Sequence, residues 1–126
     1  MKLNISEINR TLADKGDLHD CKIIRMEWGS SFKFLKIFIA DLNENFIGLP
    51  EYSGPEPGCL ILSGISSVKF DISQPENEIR IYEASINEIN GVQVLEILLA
   101  PSGRIFLCST EVNFLLGTVN TNKQFM

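Results

Sequence analysis

The sequence holds a single histidine, His19, and only three cysteines, Cys21, Cys59 and Cys108, set far apart. Any Ser-His-Asp or Cys-His site would have to be built on that one imidazole. An odd number of cysteines with no CxxC pair argues against a disulfide framework and against zinc, so all three are expected as buried free thiols. There is no run of about 18 apolar residues that could cross a membrane; Lys33 and Lys36 interrupt one apolar stretch and Glu96 the other. The first seven residues, Met1 to Glu7, lack the apolar core and small-residue cleavage site of a signal peptide, and a cytoplasmic location is expected. Isolated glycines such as Gly58 and Gly103 make no phosphate cradle. Asp14-Lys15-Gly16-Asp17 lacks the run of oxygens a calcium loop needs. No metal and no cofactor is therefore expected.

What remains is an ordinary globular composition. Of 126 residues, 44% are apolar and 21% charged, enough to build one core around one domain spanning residues 1–126. The net charge of -5 is unevenly placed. Residues 1–40 carry seven Lys/Arg and five Asp/Glu, whereas residues 41–126 carry four and eleven. An acidic main portion disfavours nucleic acid and anionic membranes and steers basic partners. The same surface would also serve solubility alone. Phe32-Lys33-Phe34 with Lys36 approaches a single-strand-binding pattern, but the Phe pair is better assigned to packing.

Taken in order, Ile5, Ile8 and Leu12 form one stripe of a helix over residues 4–15, with Asn4 or Ser6 to cap it and Gly16 to end it. Strands are expected near 20–28, 32–40, 59–63, 67–73, 78–86, 91–100 and 104–116, with residues 111–116 continuing the last. The first two strands form a hairpin that is apolar on more than one face, and the helix is the natural cover for its second face. Asn90-Gly91 is the strongest turn signal in the chain. No strand–helix–strand spacing is left for a parallel unit. The fold expected is α+β, mainly β: an antiparallel curved sheet, half-barrel or sandwich of six to eight strands with one N-terminal helix.

Residues 41–58 form a long irregular segment rich in Pro and Gly, and such loops are often functional. On it Tyr52 could anchor a partner between the acidic flanks Glu51 and Glu56; a plain solvent loop would need no such role. Glu76, Glu78 and Glu83 lie around the turn before the fifth strand. His19 and Asp20 are sequence neighbours at a strand start, where consecutive side chains diverge. They are expected to hold the corner, and no catalytic residue is assigned.

The Leu18-His19-Asp20-Cys21 corner opening into Ile23, Ile24 and Met26, followed by Cys59-Leu60-Ile61-Leu62-Ser63-Gly64-Ile65 with Val68 and Phe70, resembles a group of small bacterial proteins. That group includes immunity proteins of polymorphic toxin systems such as the immunity-protein-50 type. The resemblance covers residues 18–90, with Ile61 and Ile65 standing where its middle motif more often shows other apolar residues, and with Ser at position 63. It implies a protein that is no enzyme and that neutralises a cognate toxin domain by direct contact. A monomer or weak dimer is expected. The contact residues expected from charge and loop placement are Glu51, Tyr52, Glu56, Glu76, Glu78 and Glu83, facing a basic toxin. A small-molecule-binding β-barrel or sheet cup is the alternative. It would need Phe32, Phe34, Phe38 and Phe106 to line a common pocket.

Overall fold

The computed structural model describes residues 5–72 and 78–116. Helix α1 (Ile5–Asp14) is followed by strands β1 (Lys22–Trp28), β2 (Phe34–Ile39), β3 (Gly58–Ser63), β4 (Ser67–Asp71), β5 (Ile79–Ile89), β6 (Val92–Ala100), β7 (Arg104–Ser109) and β8 (Glu111–Leu116). The strands form one open, wholly antiparallel sheet in the order β4-β7-β6-β5-β1-β2-β3-β8. The expected fold class is what the chain adopts. Among the described residues no helix is long and apolar enough to cross a membrane.

The sheet is folded on itself at a narrow waist. β1 and β5 share only the pairs Lys22–Arg80 and Ile23–Ile79, extended at the corner by Asp20 N–H to the Ile81 carbonyl (2.8 Å) and Ile81 N–H to the Cys21 carbonyl (2.8 Å). Beyond the waist the two halves face each other. β1 begins beside β5 but ends with the Trp28 ring against Phe70 of β4, centroids 6.3 Å apart, so it crosses the opposite half to its far edge. Likewise the Val112 N–H of β8 donates to Gln93 Oε1 of β6 at 2.8 Å. The core between the halves is aliphatic. Leu35 and Ile37, Leu60 and Leu62, Leu95 and Ile97, and Ile105 and Leu107 are all fully buried at period two, and Ile81 and Ile86 of β5 are buried on either side of a break in that period.

Two register shifts set what faces outward. In β1, Ile23 pairs with Ile39 but Arg25 pairs with Phe38, leaving Ile24 as the extra residue. Ile24 is therefore 62% exposed, while Ile23, Met26 and Trp28 all pack on the core. Simple alternation would put Ile24 on one face with Met26 and Trp28; the bulge separates them. In β5, Ile81 pairs with Leu99 and Glu83 with Leu98, so Tyr82 is the extra residue and stands 53% exposed. Bulges bend a strand and re-aim a side chain, and these two flank the waist.

Helix α1 buries Ile8 and Leu12, as its stripe requires. It packs against β5 and β8 and not on the second face of the β1–β2 hairpin. The outer face of β2, β3 and β8 instead has its own small cluster of Phe38, Cys59 and Ile61, joined by Phe34 and Leu115. The single strand expected over 104–116 is two strands. β7 pairs with β6 and β4, whereas β8 pairs with β3 in the other half. The break falls at Thr110, whose N–H lies 3.2 Å from the carbonyls of Ser63 and Gly64 and whose hydroxyl donates to Ser63. The Asn90-Gly91 turn joins β5 to β6 with both residues at positive φ (52° and 80°), the backbone that a two-residue hairpin demands.

Candidate functional site

Among the described residues, left-handed backbone is concentrated where α1 hands over to β1. Gly16, Asp17 and Leu18 all have positive φ (66°, 55° and 61°), and so does Asp20 (70°). A buried leucine is an uncommon occupant of that region. The corner holds because Leu18 is wholly buried and three successive turns close on backbone bonds. Leu18 N–H reaches Lys15, His19 N–H reaches Gly16, and Cys21 N–H reaches Leu18, at 3.0–3.2 Å. A side chain at Gly16 would be strained by its φ and would also meet the end of the Asn45 amide, which would have to move aside.

This corner, the Glu44–Phe46 turn and the β5 bulge enclose an open cleft of about 330 Å3 lined by Gly16, Asp17, His19, Asn45, Tyr82 and Glu83. His19 Nδ1 lies 2.8 Å from the Tyr82 carbonyl, to which it donates, and the two rings meet edge-on with centroids 5.3 Å apart. His19 Nε2 faces the Asp20 carboxylate at 3.8 Å. Two carboxylates, an imidazole, a phenol and an amide line the cleft, and no Lys, Arg, Ser, Thr or Cys does. The set has no hydroxyl or thiol nucleophile of the Ser, Thr or Cys kind and no Lys amine, and among the described residues no group of three His, Cys, Asp or Glu side chains could hold a metal. It is suited to accepting hydrogen bonds from a cation laid against an exposed aromatic ring.

The residues expected from sequence to contact a partner fall into separate places. Tyr52 donates its hydroxyl to Asp41 Oδ2 (2.9 Å), and burial together with that bond pushes its pKa up. The Glu56 carboxylate accepts from Lys15 Nζ at 2.6 Å, and its backbone N–H donates to Asp41 Oδ1. Glu51 is exposed at the turn just before Tyr52. The long loop is thus fastened from within. Asp41, only 9% exposed, accepts from the backbone of Asn43 and Glu56 and from Tyr52. Buried Asn43 donates to Gly54 and accepts from Lys15. Glu78 pairs with Arg80 (2.9 Å) and Lys22 (3.6 Å), and its bond from Arg80 holds its carboxyl below the usual range. Lys22 also donates to Glu44 (2.9 Å), which raises its own pKa. Glu83 alone of the six lines the cleft, and Glu76 lies outside the described residues.

Asp17, Asn45 and Tyr82 were not singled out as site residues by sequence reasoning. They come from three separate segments, and Tyr82 reads as an ordinary strand residue until the bulge is known. The four phenylalanines of the cup alternative do not converge. Phe32 is 78% exposed, Phe38 and Phe34 belong to the outer-face cluster, and Phe106 lies beneath the Arg104 guanidinium.

No family model and no curated protein matches the chain. Among solved structures, an uncharacterized protein from Neisseria gonorrhoeae is similar in fold, with a TM-score of 0.56 at 14% sequence identity, covering 76% of this chain and 90% of that one.

Proposed function

We propose that this chain is a non-enzymatic binding protein of the immunity type, which neutralises a basic toxin domain by direct contact. The observation that supports it is the cleft. A bulge lifts Tyr82 out of the sheet beside Asp17 and Glu83, with no Lys or Arg among the lining residues. A protruding arginine or lysine of a partner would find two carboxylates, the Asn45 carbonyl and an aromatic edge there. The half-exposed Tyr82 ring supplies apolar contact area. The acidic body of the chain would steer the encounter. The resemblance of the Leu18–Cys21 corner to immunity proteins points the same way, and that corner builds one wall of the cleft.

The test is binding kinetics with any toxin domain encoded beside this chain's gene, across a salt series. Glu83→Lys is expected to slow association up to about tenfold at low salt, an effect that fades as salt screens it. Tyr82→Ala is expected to raise the dissociation rate. Changes at Glu51 would report on the loop as a second contact. Association indifferent to salt and to both cleft substitutions would move the interface elsewhere, and failure to bind or to protect cells would remove the immunity reading.

A further inference from the structure

The two edges of the sheet are treated differently. At one, β8 buries Val112 and Phe114 and has a backbone N–H taken by Gln93. At the other, all five residues of β4, Ser67 to Asp71, are exposed, and the strand's far side pairs with no strand among the described residues. Unpaired edges of this kind template pairing with another strand. Val68 and Phe70 stand opposite the buried Leu107 and Ile105, so they point to the inner face of the sheet, yet remain 39% and 40% exposed. Trp28 and the protruding Phe32 extend this apolar patch, with ring centroids 5.5 Å apart. On the outer face of the same strand stand Lys69 and Asp71, neither of which has an ion-pair partner among the described residues.

We propose that β4 is a homodimer interface, pairing antiparallel with β4 of a second copy about a two-fold axis at Phe70. The sequence Lys69-Phe70-Asp71 is self-complementary in that register. Lys69 of each copy falls opposite Asp71 of the other, giving two ion pairs on the outer face, while Phe70 meets Phe70 on the inner face. Centring the axis on Lys69 would oppose two lysines, and centring it on Asp71 would oppose two carboxylates. Only the Phe70 register matches both charges, and opposite charges directly across a strand pair are favourable where like charges are not. The axis makes the contact isologous and closed, so it stops at two copies. A five-residue edge is small for a stable interface, and the dimer is weak and reversible.

Sedimentation velocity of the full chain across a concentration series reads this directly, with emission of the sole tryptophan, Trp28, as a second signal beside the interface. The expected result is a concentration-dependent dimer that Lys69→Asp or Asp71→Lys alone weakens about tenfold or more, because each reversal sets like charges opposite twice. Combining the two substitutions restores dimerisation by re-forming the pairs with reversed sign. Both positions are exposed, and circular dichroism of each variant confirms that the fold is retained. A chain that stays monomeric at every concentration overturns the proposal. So does a dimer indifferent to the single reversals, or one that the double swap does not restore.

Discussion

His19 is clamped to Tyr82 twice: its Nδ1 donates to the Tyr82 carbonyl at 2.8 Å, and its ring meets the tyrosine ring edge-on at 80°. The only imidazole in the chain thus fastens the left-handed corner to the β5 bulge. His19→Ala is expected to cost about 1 kcal/mol, the scale of one hydrogen bond with part of an aromatic contact. Thermal unfolding measures this, and an unchanged midpoint would mean that the clamp contributes nothing. Tyr82→Ala keeps the carbonyl and loses only the ring contact, so its loss should be smaller.

Asp41→Ala should be among the most damaging changes outside the hydrophobic core. It strands two backbone N–H groups and the Tyr52 hydroxyl around a nearly buried position, at a cost of about 2–3 kcal/mol. Urea unfolding reads the loss. Limited proteolysis should cut the 44–55 segment sooner, and equal protection in the variant would count against the anchoring role.

The cysteines should separate by reactivity. Burial raises the pKa of Cys21 and of Cys59 to about 12, with the carboxylates of Glu44, Asp41 and Asp20 adding to the effect at Cys21. Thiolates are the reactive species, so at pH 8 a thiol reagent should label the partly exposed Cys108 first. The other two should follow at the rate of opening. Three equal rates in the folded chain would contradict the packing around β1 and β3.

Tyr52 should give the stability an alkaline limit. Its folded pKa is raised by burial and by the bond to Asp41, so folding favours the protonated phenol. That contribution is complete below the ordinary tyrosine value near 10 and is lost as pH rises through the folded value. Denaturant midpoints for the wild type should therefore fall more steeply above about pH 10 than those of Tyr52→Phe. Parallel curves would show that the phenol is not held.

Much of this architecture is legible in the chain. The period-two burial of Leu95, Ile97 and Leu99, the Ile8 and Leu12 stripe, and the Asn90-Gly91 turn all express local rules that the tertiary structure obeys. What escapes is whatever depends on a distant partner. Ile24 and Tyr82 become bulge residues only because Ile39, Phe38, Leu99 and Leu98 fix the register beside them. The switch of sheet halves at Thr110 does leave a trace, since the buried positions run 105, 107, 109 and then 112, 114. That change of phase marks a chain crossing from one face of the core to the other. The cleft is harder still. Its lining comes from residues 16, 17, 19, 45, 82 and 83, and the corner that presents the first three depends on a buried leucine adopting a conformation that leucine rarely takes.

The pairing of β3 with β8 has a consequence for how the protein comes to exist. Gly58 to Ser63 must wait for Leu116 to Glu111 to complete their ladder, although β1, β2 and β3 are made long before. During synthesis the early hairpin therefore holds an unfilled edge, with Leu60 and Leu62 lacking the Val112 and Phe114 side of their packing. Such a chain gains its native shape late and all together, because contacts so distant along the sequence form only after the intervening β5–β6–β7 meander has been made. The ribosome-bound intermediate is thus the form of this protein most exposed to wrong partners.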